Sequence, residues 1–385
     1  MKWWNSILSV LLLLSLAINL WLYSQLGHRL EVTSDAIQDE LPGPNNNPLT
    51  ISKSPSLITK MQHTGQLDSQ LLEQVLRQTG NQQKQQWLAQ VRQWLEQGKY
   101  QQVKAFLQLY LQYYPQDIDF LMLEADCMVK TELLSRALEH YYQLLEYPLS
   151  DIQYQQIQST IYSLAFDTIS QLRKVYSWDI LAAFVEPLWQ IEPTKREYIL
   201  ALAEAYSALS QGNLMESTLA SLAYDDPDAM QIRQHYARLI QQAEPLDEIE
   251  LSTERFNRQR PIKLQQFGDQ FVVPAVLNRN KINLLIDTGA SMTAISQRHF
   301  IRNQGHYQAR FIGRFSVHTA SGEETAPMYQ FAQLAIGEHV VNNITLVVLP
   351  MSGFESSDGL LGMNFLREFD FKIDQQVGLL YLLGI

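Results

Sequence analysis

The residues best placed to do chemistry lie in the stretch NLLIDTGASMTAIS, which runs from Asn283 to Ser296. Three apolar residues lead into Asp287, and Thr288 and Gly289 follow it. Asp287 therefore lies at the mouth of a strand that we expect to be buried, where an ionised carboxylate is costly unless it is paired or used. Such a carboxylate is either a turn residue, since Asp and Gly are ordinary turn formers, or one half of an acid–base pair.

A second motif, SDGLLGMNFL, follows about 70 residues later and contains Leu360, Leu361 and Gly362. The two motifs, in this order and at this spacing, resemble those of retropepsin-like aspartic proteases of the bacterial, membrane-anchored kind. The closing segment FDFKIDQQVGLLYL also resembles the last strands of that family. The resemblance covers about residues 259–385, a third of the chain.

The resemblance implies an all-β domain in which the two motifs cross in a psi-shaped core, followed by a short helix at Met363–Phe369. It makes Asp287 the catalytic residue and makes Leu360, Leu361 and Gly362 the second psi-loop motif. Thr288 is expected to bond across a dimer, and Ser291 to lie near enough to orient Asp287. The active-site support residues are Thr288, Gly289, Ala290 and Ser291.

The second carboxylate is missing from the chain, because no other Asp-Thr-Gly or Asp-Ser-Gly occurs. Asp358 lies in a different motif and is more typical of a turn cap. Two close carboxylates that share one proton can act as base and acid together. We therefore predict a homodimer in which Asp287 of each subunit faces its symmetry mate across a two-fold axis.

Between the two motifs, Ser316–Gln330 has a polar, glycine-containing centre with strand-like flanks. By position it resembles the flap hairpin that closes over substrate in this family. The candidate tip residues are Thr319, Ala320, Ser321 and Gly322. The alternative is an ordinary exposed hairpin.

The chain has 385 residues and is 46% hydrophobic, which predicts two or more folded units. Residues from Arg255 onward contain 12 Lys/Arg and 10 Asp/Glu, whereas the preceding residues contain 17 and 30. This charge asymmetry places a domain boundary near Arg255 and argues against nucleic-acid binding, because the larger part would repel phosphate.

The N-terminus contains 21 uncharged residues, Trp3–Tyr23, enough for a transmembrane helix. The alternative is a cleaved signal peptide with a site near Ser15–Ala17. We predict an uncleaved anchor over residues 1–29, with the bulk of the chain on the periplasmic side of the inner membrane. Residues 30–65, rich in Pro, Asn and Ser, predict a flexible linker.

Residues 66–245 have apolar positions at helical spacing. Four prolines punctuate them at intervals that resemble tetratricopeptide (TPR) repeats. These prolines are Pro115, Pro148, Pro193 and Pro227. Such arrays present a concave surface to a protein or peptide, so this region is expected to recruit substrate or a partner. The alternative is a plain helical spacer.

The predicted fold class is thus multidomain: an N-terminal transmembrane helix, an all-α TPR-like region, a linker at 246–258 and an all-β retropepsin-like domain at 259–385. The single cysteine, Cys127, excludes an intrachain disulfide, and no metal-ligand or phosphate-loop motif occurs. We therefore predict no cofactor and no metal.

The predicted function is that of a membrane-anchored aspartic endopeptidase acting on protein substrates. One alternative is a non-catalytic adaptor whose β domain serves for dimerisation or peptide binding. Self-processing, with cleavage near residues 30–65, is compatible with the enzyme interpretation.

Overall fold

Helices make up the N-terminal part of the described chain, and strands make up most of its C-terminal part. The computed structural model describes residues 84–242, 260–268, 270–319, 322–351 and 357–384. The predicted anchor, the linker at 30–65 and the linker at 246–258 lie outside these residues. The predicted domain boundaries stay predictions.

The N-terminal part of the described chain is helical. Its elements are α1 (Lys84–Glu96), α2 (Tyr100–Tyr113), α3 (Ile118–Thr131), α4 (Leu134–Leu144), α5 (Asp151–Lys174), α6 (Trp178–Ile191), α7 (Arg196–Ala208), α8 (Gly212–Leu219) and α9 (Pro227–Gln242).

Proline and capping residues set several of the helix boundaries. Pro115, Pro148 and Pro193 lie in connections between helices, and Pro227 is the first residue of α9, where its missing N–H has no intrahelical partner to lose. Ser150 begins α5 with a capping box: its hydroxyl accepts from the Gln153 amide, while the Gln153 side chain accepts from the Ser150 amide.

The predicted fold class and localisation require correction. Within residues 84–242 and the described parts of 260–384, every helix is too short or too polar to cross a membrane. The predicted span, Trp3–Tyr23, lies outside these residues, so this finding gives no support to the predicted transmembrane helix or to the single-pass inner-membrane localisation, and we retain neither. The predicted TPR-like array is not retained either, because the helices are very unequal in length. They range from 8 residues in α8 to 24 residues in α5.

The C-terminal part is mainly β. Its elements are β1 (Ile262–Lys263), β2 (Gln265–Phe267), β3 (Gln270–Leu277), β4 (Asn280–Ile286), β5 (Ala294–Ser296), α10 (Gln297–Tyr307), β6 (Arg310–Thr319), β7 (Gly322–Gln330), β8 (Gln333–Ile336), β9 (His339–Asn342), β10 (Thr345–Leu349), β11 (Gly359–Leu361), α11 (Met363–Leu366), β12 (Phe369–Asp374) and β13 (Leu379–Gly384).

The larger sheet has the order β6-β7-β10-β5-β11-β4-β3-β8-β9, with β2 added on β3. β11 lies between the two strands that flank Asp287: it runs parallel to β4 and antiparallel to β5. The smaller sheet has the order β1-β13-β12. The segment that follows Asp287 and the second motif are therefore interleaved, although about 70 residues separate them in sequence.

The two regions share an apolar core in addition to having cores of their own. One cluster is built of strand residues such as Leu284, Ile295 and Leu361. Another joins helix residues such as Leu134 and Phe184 to strand residues of β5, β6, β7 and β10. The helices are thus packed directly on the sheet.

Candidate active site

Asp287 follows the last residue of β4 and is half-buried, whereas Thr288 and Gly289 are exposed. Its backbone amide donates to the Leu361 carbonyl at 3.0 Å, and the Gly289 amide donates to its Oδ1 at 3.0 Å. One oxygen of the Asp287 carboxylate is therefore held by the Gly289 amide. The neighbouring loop residues lie open on the surface of the subunit.

The loop after Asp287 is held by the second motif. The Met363 amide donates to the Ala290 carbonyl at 2.8 Å, and the Asn364 amide donates to the Ser291 carbonyl at 3.0 Å. The structure thus brings both predicted motifs to one place. Ser291 takes part through its backbone carbonyl, and its orienting role toward Asp287 stays a prediction.

Gly362 allows the two segments to approach. A Cβ atom at this position would lie 2.5 Å from the Met292 carbonyl oxygen and 2.7 Å from the Thr293 nitrogen. Only glycine fits at such a separation without a backbone shift. Leu360 and Leu361 precede it in β11, paired with Leu285 and Ile286 of β4.

A buried polar network that the sequence analysis missed supports this crossing. Asn364 Oδ1 accepts from the Thr293 amide at 2.8 Å and from the Thr293 hydroxyl at 2.7 Å. The Thr293 hydroxyl accepts from the Gly362 amide at 3.1 Å, and Asn364 Nδ2 donates to the Thr345 carbonyl at 2.8 Å. Asn364 is 4% exposed and Thr293 is fully buried. The one local signal was an asparagine inside the apolar run MNFL.

Replacing Asn364 by alanine is expected to lower the free energy of unfolding by about 3 kcal/mol, because several buried polar groups lose their partner at about 1–3 kcal/mol each. Urea denaturation of the full chain measures this change. The matched control is Asn342→Ala, at an exposed position of β9, which should change stability by less than about 0.5 kcal/mol. Equal losses in both variants would contradict a supporting role for the network.

Asp358 belongs to a second network, which is more extensive than the predicted turn cap. Its Oδ2 accepts from the Asn283 amide at 2.9 Å, and its Oδ1 lies 2.7 Å from His299 Nδ1. His299 Nε2 lies 2.7 Å from the Tyr307 hydroxyl. Burial, together with the Asp358 carboxylate, raises the pKa of Tyr307 to about 12, so this hydroxyl stays protonated. The network ties α10 to β4 and to the start of β11.

Two of the predicted flap residues, Thr319 and Gly322, lie at the closed end of the β6–β7 hairpin. Thr319 pairs with Gly322, and the Thr319 hydroxyl donates to the Gly322 carbonyl at 2.8 Å. Gly322 has φ of 122°, a conformation suited to glycine. Ala320 and Ser321 lie outside the described residues. The flap role of these four residues stays a prediction.

Comparison with known proteins gives a family match within the β region. Residues 273–368 match a family model described as "gag-polyprotein putative aspartyl protease". A search of curated proteins gave no match.

Two solved structures are similar to this part of the chain. A retropepsin-like aspartic protease from Rickettsia conorii has 29% sequence identity, with 32% of this chain and 88% of that chain covered and a TM-score of 0.25. EIAV protease complexed with the inhibitor HBY-793 has 13% identity, 27% and 90% coverage and a TM-score of 0.22. The family match covers the Asp-Thr-Gly loop, the hairpin and the second motif. Residues 273–368 therefore form a retropepsin-like aspartic protease domain, which implies aspartic-type peptidase activity at the level of the family.

Proposed function

We propose that the protein is an aspartic endopeptidase whose active site forms between two copies of the chain. The observation that carries this proposal is the position of Asp287: a half-buried carboxylate on a fixed loop, beside the exposed Thr288 and Gly289. Asp358, the acidic residue of the second motif, is engaged by His299 and by the Asn283 amide. A second copy of Asp287 is therefore the best-placed partner.

In this mechanism, one Asp287 carboxylate is ionised and its mate is protonated, because two close carboxylates resist double ionisation. The ionised group takes a proton from water as the oxygen attacks the peptide carbonyl carbon. The protonated group gives its proton to the carbonyl oxygen. Collapse of the tetrahedral intermediate then breaks the C–N bond, and the leaving amine receives a proton from the pair.

The fixed loop supports this chemistry. Since the Gly289 amide donates to one oxygen of Asp287, the other oxygen is left to meet water and the mate carboxylate. The backbone bonds from Met363 and Asn364 keep the loop from shifting when the proton moves. Reacting groups held in place in this way lower the entropic part of the barrier. The helical region is proposed to position a protein substrate or partner.

Mixing wild-type chain with Asp287→Asn chain tests the shared site. Suppose that only dimers with two Asp287 residues cleave. When equal amounts of the two chains are mixed at a fixed total chain concentration, random pairing makes a quarter of the dimers wild type in both subunits. The mixture should then cleave dye-labelled, denatured casein at about a quarter of the all-wild-type rate. A site contained within one chain predicts about half.

The control for this mixing experiment is Asp225→Asn, at an exposed position of the helical region, which should leave the mixed rate at the wild-type level. Sedimentation velocity on the same samples measures the oligomeric state. A monomer that cleaves casein with full dependence on Asp287 would overturn the shared-site mechanism.

A further inference from the structure

One face of the sheet beside Asp287 is apolar and points away from the β core. Side chains alternate along a strand, so Ile295 and Leu361 face the β core, while their neighbours Ala294 and Leu360 face the opposite side. Leu360 pairs with Ala294 on one side and with Leu285, two residues before Asp287, on the other. We call this face the apolar wall; its residues are Met292, Ala294, Val347 and Leu360.

The apolar wall adjoins the reacting carboxylate. A peptide held with its scissile bond at Asp287 would place neighbouring side chains against the wall, because side chains of an extended chain project on both sides of its backbone. Three of the four wall residues are nevertheless withdrawn from solvent in this structure, and Leu360 is half-buried. Met292 is 6% exposed, Ala294 2% and Val347 4%.

Helices of the N-terminal region belong to the same apolar cluster as this face and pack on strand β6 of the same sheet. The apolar cluster that contains the wall also contains residues of α4 and α6 and the strand residues Phe315, Val317 and Met328. The rings of Phe184 in α6 and Phe315 in β6 lie 5.7 Å apart at 67°, an edge-to-face contact. Leu134, at the start of α4, packs so closely on Gly313 that a Cβ there would lie 3.0 Å from its Cδ2.

The same helices also hold the β6–β7 hairpin. Lys130 Nζ in α3 lies 5.1 Å from the centroid of the Phe311 ring, so three helices touch β6 between Phe311 and Phe315. A hairpin that closes over a peptide must move relative to the rest of its domain. Here its first half is fixed to the helices by buried contacts at Gly313 and Phe315.

Resting on the proposed function, we propose that α3, α4 and α6 form an autoinhibitory cover on the protease domain. In the covered state, helix side chains occupy the apolar wall and hold the hairpin. Cleavage requires the helices to move off β6, which frees the wall for substrate and releases the hairpin. The helical region is then the element through which a protein substrate or partner switches the protease on.

A reversible cross-link tests the cover. A Cβ added at Gly313 would lie 3.3 Å from the Leu134 Cβ, close to the Cβ separation of about 3.5–4.5 Å in disulfides. The pair Leu134→Cys and Gly313→Cys is made in a Cys127→Ala background, so that only the designed disulfide can form. Under oxidising conditions, cleavage of dye-labelled, denatured casein should fall at least tenfold, and dithiothreitol should restore it. Leu134→Cys alone, in the same background, should not respond to either treatment.

A second variant opens the cover. Phe184→Ala removes the ring that packs on Phe315 and should raise the casein cleavage rate at least threefold. The control is Leu219→Ala, which deletes a fully buried apolar side chain from α8, a helix outside the cover. That change should leave the rate unaltered. Circular dichroism verifies that both variants are folded. If Phe184→Ala does not fold, the cross-link experiment alone tests the cover.

The outcomes separate this inference from the proposed function. Cleavage that depends on Asp287 but proceeds equally in the oxidised and reduced pair overturns the cover alone. A folded Phe184→Ala variant that is no faster than Leu219→Ala does the same. Equal cleavage by wild type and Asp287→Asn overturns the proposed function and the cover with it.

Discussion

Asp287→Asn is expected to lower the rate of casein cleavage by at least about a hundredfold and as much as ten-thousandfold, the range for losing a general acid–base group. The amide has nearly the same shape as the carboxylate, and its oxygen still accepts from the Gly289 amide, as Asp287 Oδ1 does at 3.0 Å. It cannot take a proton from water, however. The substitution therefore removes the chemistry while the loop keeps its geometry.

Initial rates between pH 4 and pH 7, in parallel with urea denaturation, measure this effect. The free energy of unfolding should change by less than about 1 kcal/mol, because the hydrogen bond to the loop is kept. Asp225→Asn, which removes an exposed carboxylate from the helical region, should keep the wild-type rate. An Asp287→Asn protein that still cleaves at the wild-type rate would favour the non-catalytic adaptor interpretation.

Gly362→Ala is expected to lower the free energy of unfolding by about 3 kcal/mol or more, the upper range for overpacking a well-filled site. The added methyl group would press on the Met292 carbonyl at 2.5 Å and on the Thr293 nitrogen at 2.7 Å. These are backbone atoms, and they cannot turn aside as a side chain can. The Gly362 amide would also be pushed from the Thr293 hydroxyl, which it contacts at 3.1 Å.

The control for this substitution is Gly305→Ala in α10, where an added Cβ meets no atom within 4 Å. Alanine is the better helix former, so this variant should gain up to about 1 kcal/mol. Urea or thermal denaturation of both proteins measures the contrast. Similar stabilities for the two variants would show that the crossing of the two motifs tolerates a side chain at Gly362.

The protease domain was predictable because its signals are local. A period of two in hydrophobicity and frequent Gly and Asn turns indicate strands within a few residues, and the Asp-Thr-Gly and Leu-Leu-Gly motifs are short strings. The family match to residues 273–368 confirms a retropepsin-like domain. Helix ends near Pro115, Pro148 and Pro193 were predictable for the same reason, since proline acts on the residues next to it.

Helix α10 was not predicted from the sequence, although the signals for a helix are local. The segment QRHFIRNQGHY buries only Phe300 and Tyr307, so it has few apolar positions from which to read a period. Its clearest local signal is Ser296, whose hydroxyl accepts from the His299 amide as an N-cap. The second motif helix was predicted over Met363–Phe369, but α11 ends at Leu366 and Phe369 begins β12. Strand pairing with β13 decides that boundary.

By itself, the sequence determined the Asp-Thr-Gly motif that contains Asp287, the second motif and the absence of another Asp-Thr-Gly, because these are properties of short strings or of the whole string. Only the tertiary structure decided that Asn364 bonds to Thr293, that Asp358 joins His299, and that helix residues such as Phe184 pack on β6 at Phe315. Each of these contacts joins residues dozens of positions apart. Their partners are selected by packing and by the need to satisfy buried polar groups, and neither leaves a periodic trace along the chain.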